Sequence, residues 1–176
     1  MPYPAVRVNA SPASITFDSL VAIAHDLAPR LAAQRQTLAV AESSAGGLIS
    51  AALLAVPGAS AYFLGGAVVY TQAARSGLVG IETLAPGMRA STEPYALFLA
   101  RTVRDRLGAT WALAETGASG PSGNRYGDPP GHVCLAVVGP RERSLTVETA
   151  SPERLSNMLA FAAHALRLLA DVTTTR

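Results

Sequence analysis

Apolar residues along the chain follow two patterns. Some stretches repeat them every third or fourth position, which marks one face of a helix; others are short unbroken apolar runs, which mark buried strands. Over 14–31, Leu20, Ala24, Leu27 and Leu31 keep the helical spacing, and Pro29 predicts a kink or an early end. Residues 37–41 read as a short strand. The Ala/Leu-rich run 46–55 reads as a helix stopped by Pro57-Gly58. Residues 61–71 (AYFLGGAVVYT) read as a strand, with Gly65-Gly66 a bulge or a point of close approach. A short helix follows over 72–79 and ends at Gly80.

The second half continues the alternation. Ser91 or Thr92 caps a helix with Pro94 in its first turn and Tyr95, Leu97, Phe98, Val103 and Leu107 as its apolar positions. A strand over 110–115 (TWALAE) runs into a Gly/Pro/Ser/Asn loop over 117–131, a length that points to function or disorder. Residues 132–138 and 144–149 form a strand pair around Gly139-Pro140. Ser151 caps a last helix, with Pro152 at its first position, that runs towards Asp171. Without internal repeats, this order predicts one three-layer α/β/α domain with a single mixed sheet over 14–171. A loose lead-in over 1–13, kept out of helix by its prolines, and a frayed tail over 172–176 flank it.

Composition narrows the function classes. The 176 residues suit one domain with a full core, and 49% hydrophobic against 15% charged residues require extensive burial. No apolar run reaches the length of a membrane span, and the first residues lack the basic start and apolar segment of a secretory leader. Cys134 is the only cysteine, so neither an internal disulfide nor a cysteine metal cluster is expected, and a cytoplasmic location is. His25, His132 and His164 are scattered without metal-ligand spacing; no metal and no cofactor is expected. The net charge of +2 comes without a basic, aromatic-interleaved cluster, which argues against a nucleic-acid partner. All 14 basic residues are arginine, which removes lysine from any mechanism. Apolar helices with little charge point to a homo-oligomer, a dimer or higher.

Two polar loops carry the candidate chemistry. The first is 41-AESSAGG-47, where a strand's carboxyl end passes into a helix. Ligands bind at that edge of open α/β sheets, and free N–H groups at a helix start can hold an anion or a developing oxyanion. Ser43 or Ser44 is then a candidate nucleophile. A helix cap at Ser43, with Gly46 and Gly47 allowing close packing, also explains the stretch. It is not the G-x-S-x-G elbow. The second loop, 115-ETGASGPSGNRYGDPPGH-132, opens on the same edge and offers Thr116, Ser119, Arg125, Tyr126 and Asp128, a set suited to phosphate or ribose. His132 follows that loop directly, and Tyr70 ends the strand over 61–71.

Taken together these blocks resemble the CinA C-terminal domain family of nicotinamide mononucleotide deamidases, from about residue 17 to 170. The family's AES-x-x-GG block stands here as 41-AESSAGG-47. Its D-x-x-G-S-S-A-x-F-x-x-G-x-V-x-Y block corresponds to 56-VPGASAYFLGGAVVY-70, and its T-G-x-A-G-P-x-G block to 116-TGASGPSG-123. The Pro-x-Gly before the next strand is Pro129-Pro130-Gly131. The resemblance implies the α/β fold and a metal-free amidohydrolase acting on a small-molecule nucleotide. Ser43 would be its nucleophile, and Tyr70 and Thr116 would lie in its site. It also places Arg75 where the family has an activating lysine, and a guanidinium stays protonated in proteins. The proton from Ser43 would then go to Glu42, Glu115 or His132, with Tyr70 as relay. Ser44, Gly46, Gly47, Gly117, Ser119, Gly120 and His132 would contact substrate, and Arg75 or Arg125 would hold its phosphate. The amidohydrolase reading ranks first because the serine, tyrosine and threonine remain; the missing lysine leaves a nucleotide-binding or sensing module, or a hydrolase of another small amide, as alternatives.

Overall fold

The helices begin where side-chain oxygens replace missing backbone partners. A computed structural model describes residues 15–174, so the lead-in over 1–13 lies outside the described residues. Thr16 accepts from the Ser19 amide and opens α1 (Phe17–Ala33) in a capping box. Thr71 does the same for α3 (Gln72–Val79), and Thr92, rather than Ser91, for α4 (Glu93–Leu107). Left-handed Gly80 and Gly108 close α3 and α4. Three helices depart from expectation, the last of them starting at Arg154 rather than at Pro152. α1 continues past Pro29 to Ala33, with Leu31 buried in the core. α2 (Leu48–Leu54) starts two residues later than the apolar run, because Gly46 and Gly47 take positive φ values.

Five strands form one sheet in the order β2-β1-β3-β4-β5. They are β1 (Leu38–Glu42), β2 (Phe63–Val68), β3 (Trp111–Ala118), β4 (His132–Val138) and β5 (Arg143–Glu148). β1 pairs in parallel with β2 and β3; β3–β4 and β4–β5 are antiparallel, giving the expected mixed sheet. β3 extends three residues past the end of its apolar run. Thr116, Gly117 and Ala118 stay in register with Cys134, Val133 and His132, so the polar loop starts only after Ala118. Gly117 permits this approach: a Cβ there would meet the His132 carbonyl oxygen at 2.3 Å.

The sheet separates two unequal cores. Leu38, Val40, Leu113, Val133, Leu135 and Val137 face α1, α2 and α5 (Arg154–Thr174), where Leu20, Leu27, Ile49, Phe161 and Leu166 are buried. On the other face the strands present mainly alanine (Ala39, Ala41, Ala112, Ala114, Ala136), and α4 lies against them through Tyr95, Leu99 and Val103. Large side chains anchor the first face at roughly 1.5–3 kcal/mol each when fully buried. The alanines let α4 pack close to the sheet. The expected frayed tail is corrected over 172–174, where α5 continues. Val172 is buried there, its carbonyl accepts from Arg141, and the Thr174 hydroxyl accepts from Arg30. No helix among the described residues is long and apolar enough to cross a membrane.

Candidate functional site

Side chains alternate across a strand, and this parity decides what each residue of the two polar loops can do. Glu42 shares the face of Leu38 and Val40, and Glu115 shares that of Leu113. Both carboxylates therefore point beneath α2, and both are fully buried. Glu42 accepts from the amides of Gly47 (2.9 Å), Ile49 (3.1 Å) and Ser50 (3.0 Å) and from the Ser50 hydroxyl (2.6 Å). It caps α2 from the preceding strand, since Gly47 has no side chain to do so. Glu115 accepts from the amides of Ser43 (2.9 Å) and Ala45 (2.8 Å) and from the Ser44 hydroxyl. Burial pushes the Glu115 carboxyl up to about 7; its three donors pull it down and the Glu42 charge adds to the rise.

These contacts correct several expectations. The Gly46 amide donates to the Ser43 carbonyl (3.1 Å) and the Gly47 amide to Glu42, so neither is free for an anion. Of the 43–47 turn, only the Ser44 amide lacks a hydrogen-bond partner among the described residues. Glu42 is a helix cap rather than a base beside Ser43, and Ser43 does not cap α2. The two serines separate cleanly. Ser44 is buried against Glu115, whereas the Ser43 hydroxyl has no hydrogen-bond partner among the described residues.

Ser43 instead lines a small cleft on the α4 side of the sheet, about 60 Å³ in volume. Tyr70, Arg75, Thr116, Arg125 and Tyr126, all expected from the sequence, line it as well, with Tyr95, Thr71 and Gln72 added. The enclosed space is large enough for one small polar group. The Tyr70 hydroxyl accepts from Arg154 (3.2 Å), whose other terminal nitrogen donates to the Gly120 carbonyl (2.7 Å). Arg75 donates through Nε to the Ile81 carbonyl (3.2 Å). It also stands close enough to Tyr95 to counter the upward push of burial on that phenol. Arg89 and Arg125 lie 5.2 and 5.3 Å from the Tyr126 ring centroid, and Arg89 forms a two-pronged pair with Asp128 (2.6 and 3.0 Å).

The remaining expected contacts lie outside the cleft. Gly117 serves the β3–β4 approach. Ser119 is buried, and its carbonyl accepts from Asn157 (2.9 Å). Gly120, at φ 101°, packs against the Pro152 carbonyl. His132 faces an acceptor at each ring nitrogen: Glu148 at 2.6 Å from Nδ1 and the Ser91 carbonyl at 3.0 Å from Nε2. Two acceptors require two N–H groups, hence an imidazolium. Burial opposes that charge, but the Cys134 sulfur, Glu148 and the Ser91 carbonyl outweigh it and raise His132 to about 10. A group already protonated cannot take the Ser43 proton. Among the described residues no cluster of His, Cys, Asp and Glu suits a metal ion.

Sequence reasoning missed Tyr95, Arg154 and Asn157 as site-building residues. Tyr95 reads as one more apolar position of α4. Asn157 is buried and joins Ser119, Thr149 and Ser151, so it fixes the start of the second loop. A signal for Arg154 existed in its place at the first turn of the last helix.

The comparisons with known proteins agree on one family. The CinA C-terminal domain model matches residues 20–173. A CinA-like protein of Prochlorococcus marinus (strain MIT 9313) is 42% identical over 124 residues, which is 70% of this chain and 28% of that protein. One of Synechococcus sp. (strain CC9902) is 39% identical over 144 residues, 77% of this chain and 34% of that protein. The chain thus spans about a third or less of the length of these curated relatives. Among solved structures, a competence-damaged protein (CinA) superfamily protein from Enterobacter cloacae superposes with a TM-score of 0.80 at 26% identity, covering 88% of this chain and 92% of that one. Competence/damage inducible protein CihA from Agrobacterium tumefaciens gives 0.80 at 25% identity, covering 97% and 100%. With the fold, the loop blocks and the model match in agreement over nearly its whole length, the chain belongs to the CinA C-terminal domain family.

Proposed function

We propose that the cleft binds a nicotinamide nucleotide and that the chain hydrolyses its carboxamide to the carboxylate and ammonia, with Ser43 as nucleophile. One observation carries this reading: an unpartnered serine hydroxyl shares a cleft with Thr116, Tyr70 and two arginines. In this scheme Ser43 Oγ bonds to the amide carbon, the C–N bond breaks, and the Ser43 proton passes to the departing nitrogen, which leaves as ammonia. Water then cleaves the resulting ester and restores Ser43. The Thr116 hydroxyl and the Ser44 amide are the donors left for the oxyanion, because Glu42, Glu115 and the Ser43 carbonyl occupy the other amides of the turn. Arg75 and Arg125 serve the 5′-phosphate. Among the described residues, no carboxylate or imidazole near Ser43 is free to take its proton, so the expected turnover is slow. The expected location is cytoplasmic and the expected assembly a homo-oligomer.

A second reading rests on the same inward-turned groups. With Glu42, Glu115 and His132 committed elsewhere and Arg75 permanently charged, the cleft would bind a nucleotide without cleaving it. Calorimetric titration with nicotinamide mononucleotide, run beside an ammonia assay of the native chain and Ser43→Ala, separates the two. Binding with Ser43-dependent ammonia supports hydrolysis; binding with ammonia at the Ser43→Ala level supports the second reading. Absence of binding removes both.

A further inference from the structure

Behind the cleft, Ser91 holds a backbone conformation that its side chain disfavours. Its φ is 57°, in the left-handed region, and it is buried. Both of its backbone polar groups are held by side chains. Its amide donates to Thr116 Oγ1 (3.1 Å), and its carbonyl accepts from His132 Nε2 (3.0 Å). His132 is held in turn by Glu148 (2.6 Å), which is its cross-strand partner on β5. Strained residues of this kind persist where their surroundings over-determine them, and they concentrate at functional sites.

The chemistry of Thr116 gives the arrangement a purpose. A hydroxyl has one proton to donate and two lone pairs to accept with. Once the Ser91 amide donates to Thr116 Oγ1, the threonine proton is left to donate elsewhere, and Thr116 lines the cleft. We infer that His132 is a positioning residue: by holding the Ser91 carbonyl it aims the Ser91 amide at Thr116, and so presents the Thr116 hydroxyl to the cleft as a donor. This rests on the reading of the cleft as a nicotinamide-nucleotide site, where that donor would serve the amide oxygen as it gains negative charge. His132 itself touches neither substrate nor reacting atoms.

The test combines a double-mutant cycle with amide exchange. In the ligand-free protein, His132→Leu is expected to speed exchange of the Ser91 amide at least tenfold while amides of α1 and α5 keep their protection. His132→Gln, whose amide N–H can still reach the Ser91 carbonyl, is expected to restore protection. In ammonia release from nicotinamide mononucleotide, His132→Leu is expected to lower kcat about tenfold with little change in KM. Thr116→Val is expected to lower it further, and the double variant to match Thr116→Val alone, since His132 acts only through Thr116. Unchanged Ser91 exchange in His132→Leu, or additive losses in the double variant, overturns the inference. If the native chain neither binds nor cleaves the nucleotide, the function reading fails, and the exchange arm still judges the His132–Ser91–Thr116 link by itself.

Discussion

At the scale of single residues, neighbouring serines with identical side chains have opposite expected roles. Ser44 is buried and its hydroxyl donates to a fully buried carboxylate. Ser44→Ala is expected to destabilise the chain by about 1–3 kcal/mol, the cost of leaving a buried acceptor short of a donor. Ser43 lines the cleft without a hydrogen-bond partner, so Ser43→Ala is expected to stay within about 0.5 kcal/mol of the native chain. Urea denaturation of both variants checks the contrast, and equal losses would contradict the assignment. The sequence shows that a hydroxyl belongs in this turn, but not which one. The choice depends on Glu115, 71 residues away and on the same sheet face, and local pattern does not report that contact.

At the scale of elements, most boundaries were legible. The end of α3 at Gly80, a start of α4 at Ser91 or Thr92 and the final strand pair follow from capping and turn chemistry. The polar ends of strands were not. Thr116-Gly117-Ala118 reads as loop, because glycine and threonine weaken the apolar pattern, yet β4 pairs with all three. The fate of Glu42 was hidden for a related reason: the start of α2 depends on the positive φ values of Gly46 and Gly47. Glu42→Ala is expected to cost about 2–4 kcal/mol, more than loss of an ordinary N-cap, because four donors lose their acceptor together. Gly117→Ala is expected to cost about 1–3 kcal/mol or more through the clash with the His132 carbonyl. Thermal denaturation checks both, and a native-like midpoint for either would contradict the corresponding contact.

For the whole molecule, the buried ionisable groups set how stability responds to pH. Glu115 and His132 both bind protons more tightly folded than unfolded, so each favours the folded state at lower pH. Stability is expected to fall as pH rises from about 4.5 to about 7 through Glu115. It is expected to fall again from about 6.5 to about 10 through His132. Denaturation free energies measured between pH 5 and 10 check this. Glu115→Gln should flatten the acid part of the curve and His132→Gln the alkaline part. A stability that rises across this range would contradict the assignment.

The same whole-molecule view explains why the fold was more legible than the site. Layer order follows from apolar periodicity, whereas the cleft is assembled from β3, the residues after β1 and β2, α3, α4 and the second loop at once. The central proposal is that Ser43 cleaves a nicotinamide nucleotide in a cleft where, by resemblance to the family, Arg75 would stand in the place of an activating lysine. Ammonia release from nicotinamide mononucleotide by the native chain, Ser43→Ala and Arg75→Lys tests it most directly. The expected result is slow release by the native chain, none above background from Ser43→Ala, and a rise of at least tenfold with Arg75→Lys. Release by the native chain no faster than by Ser43→Ala, with Arg75→Lys equally inert, would contradict it.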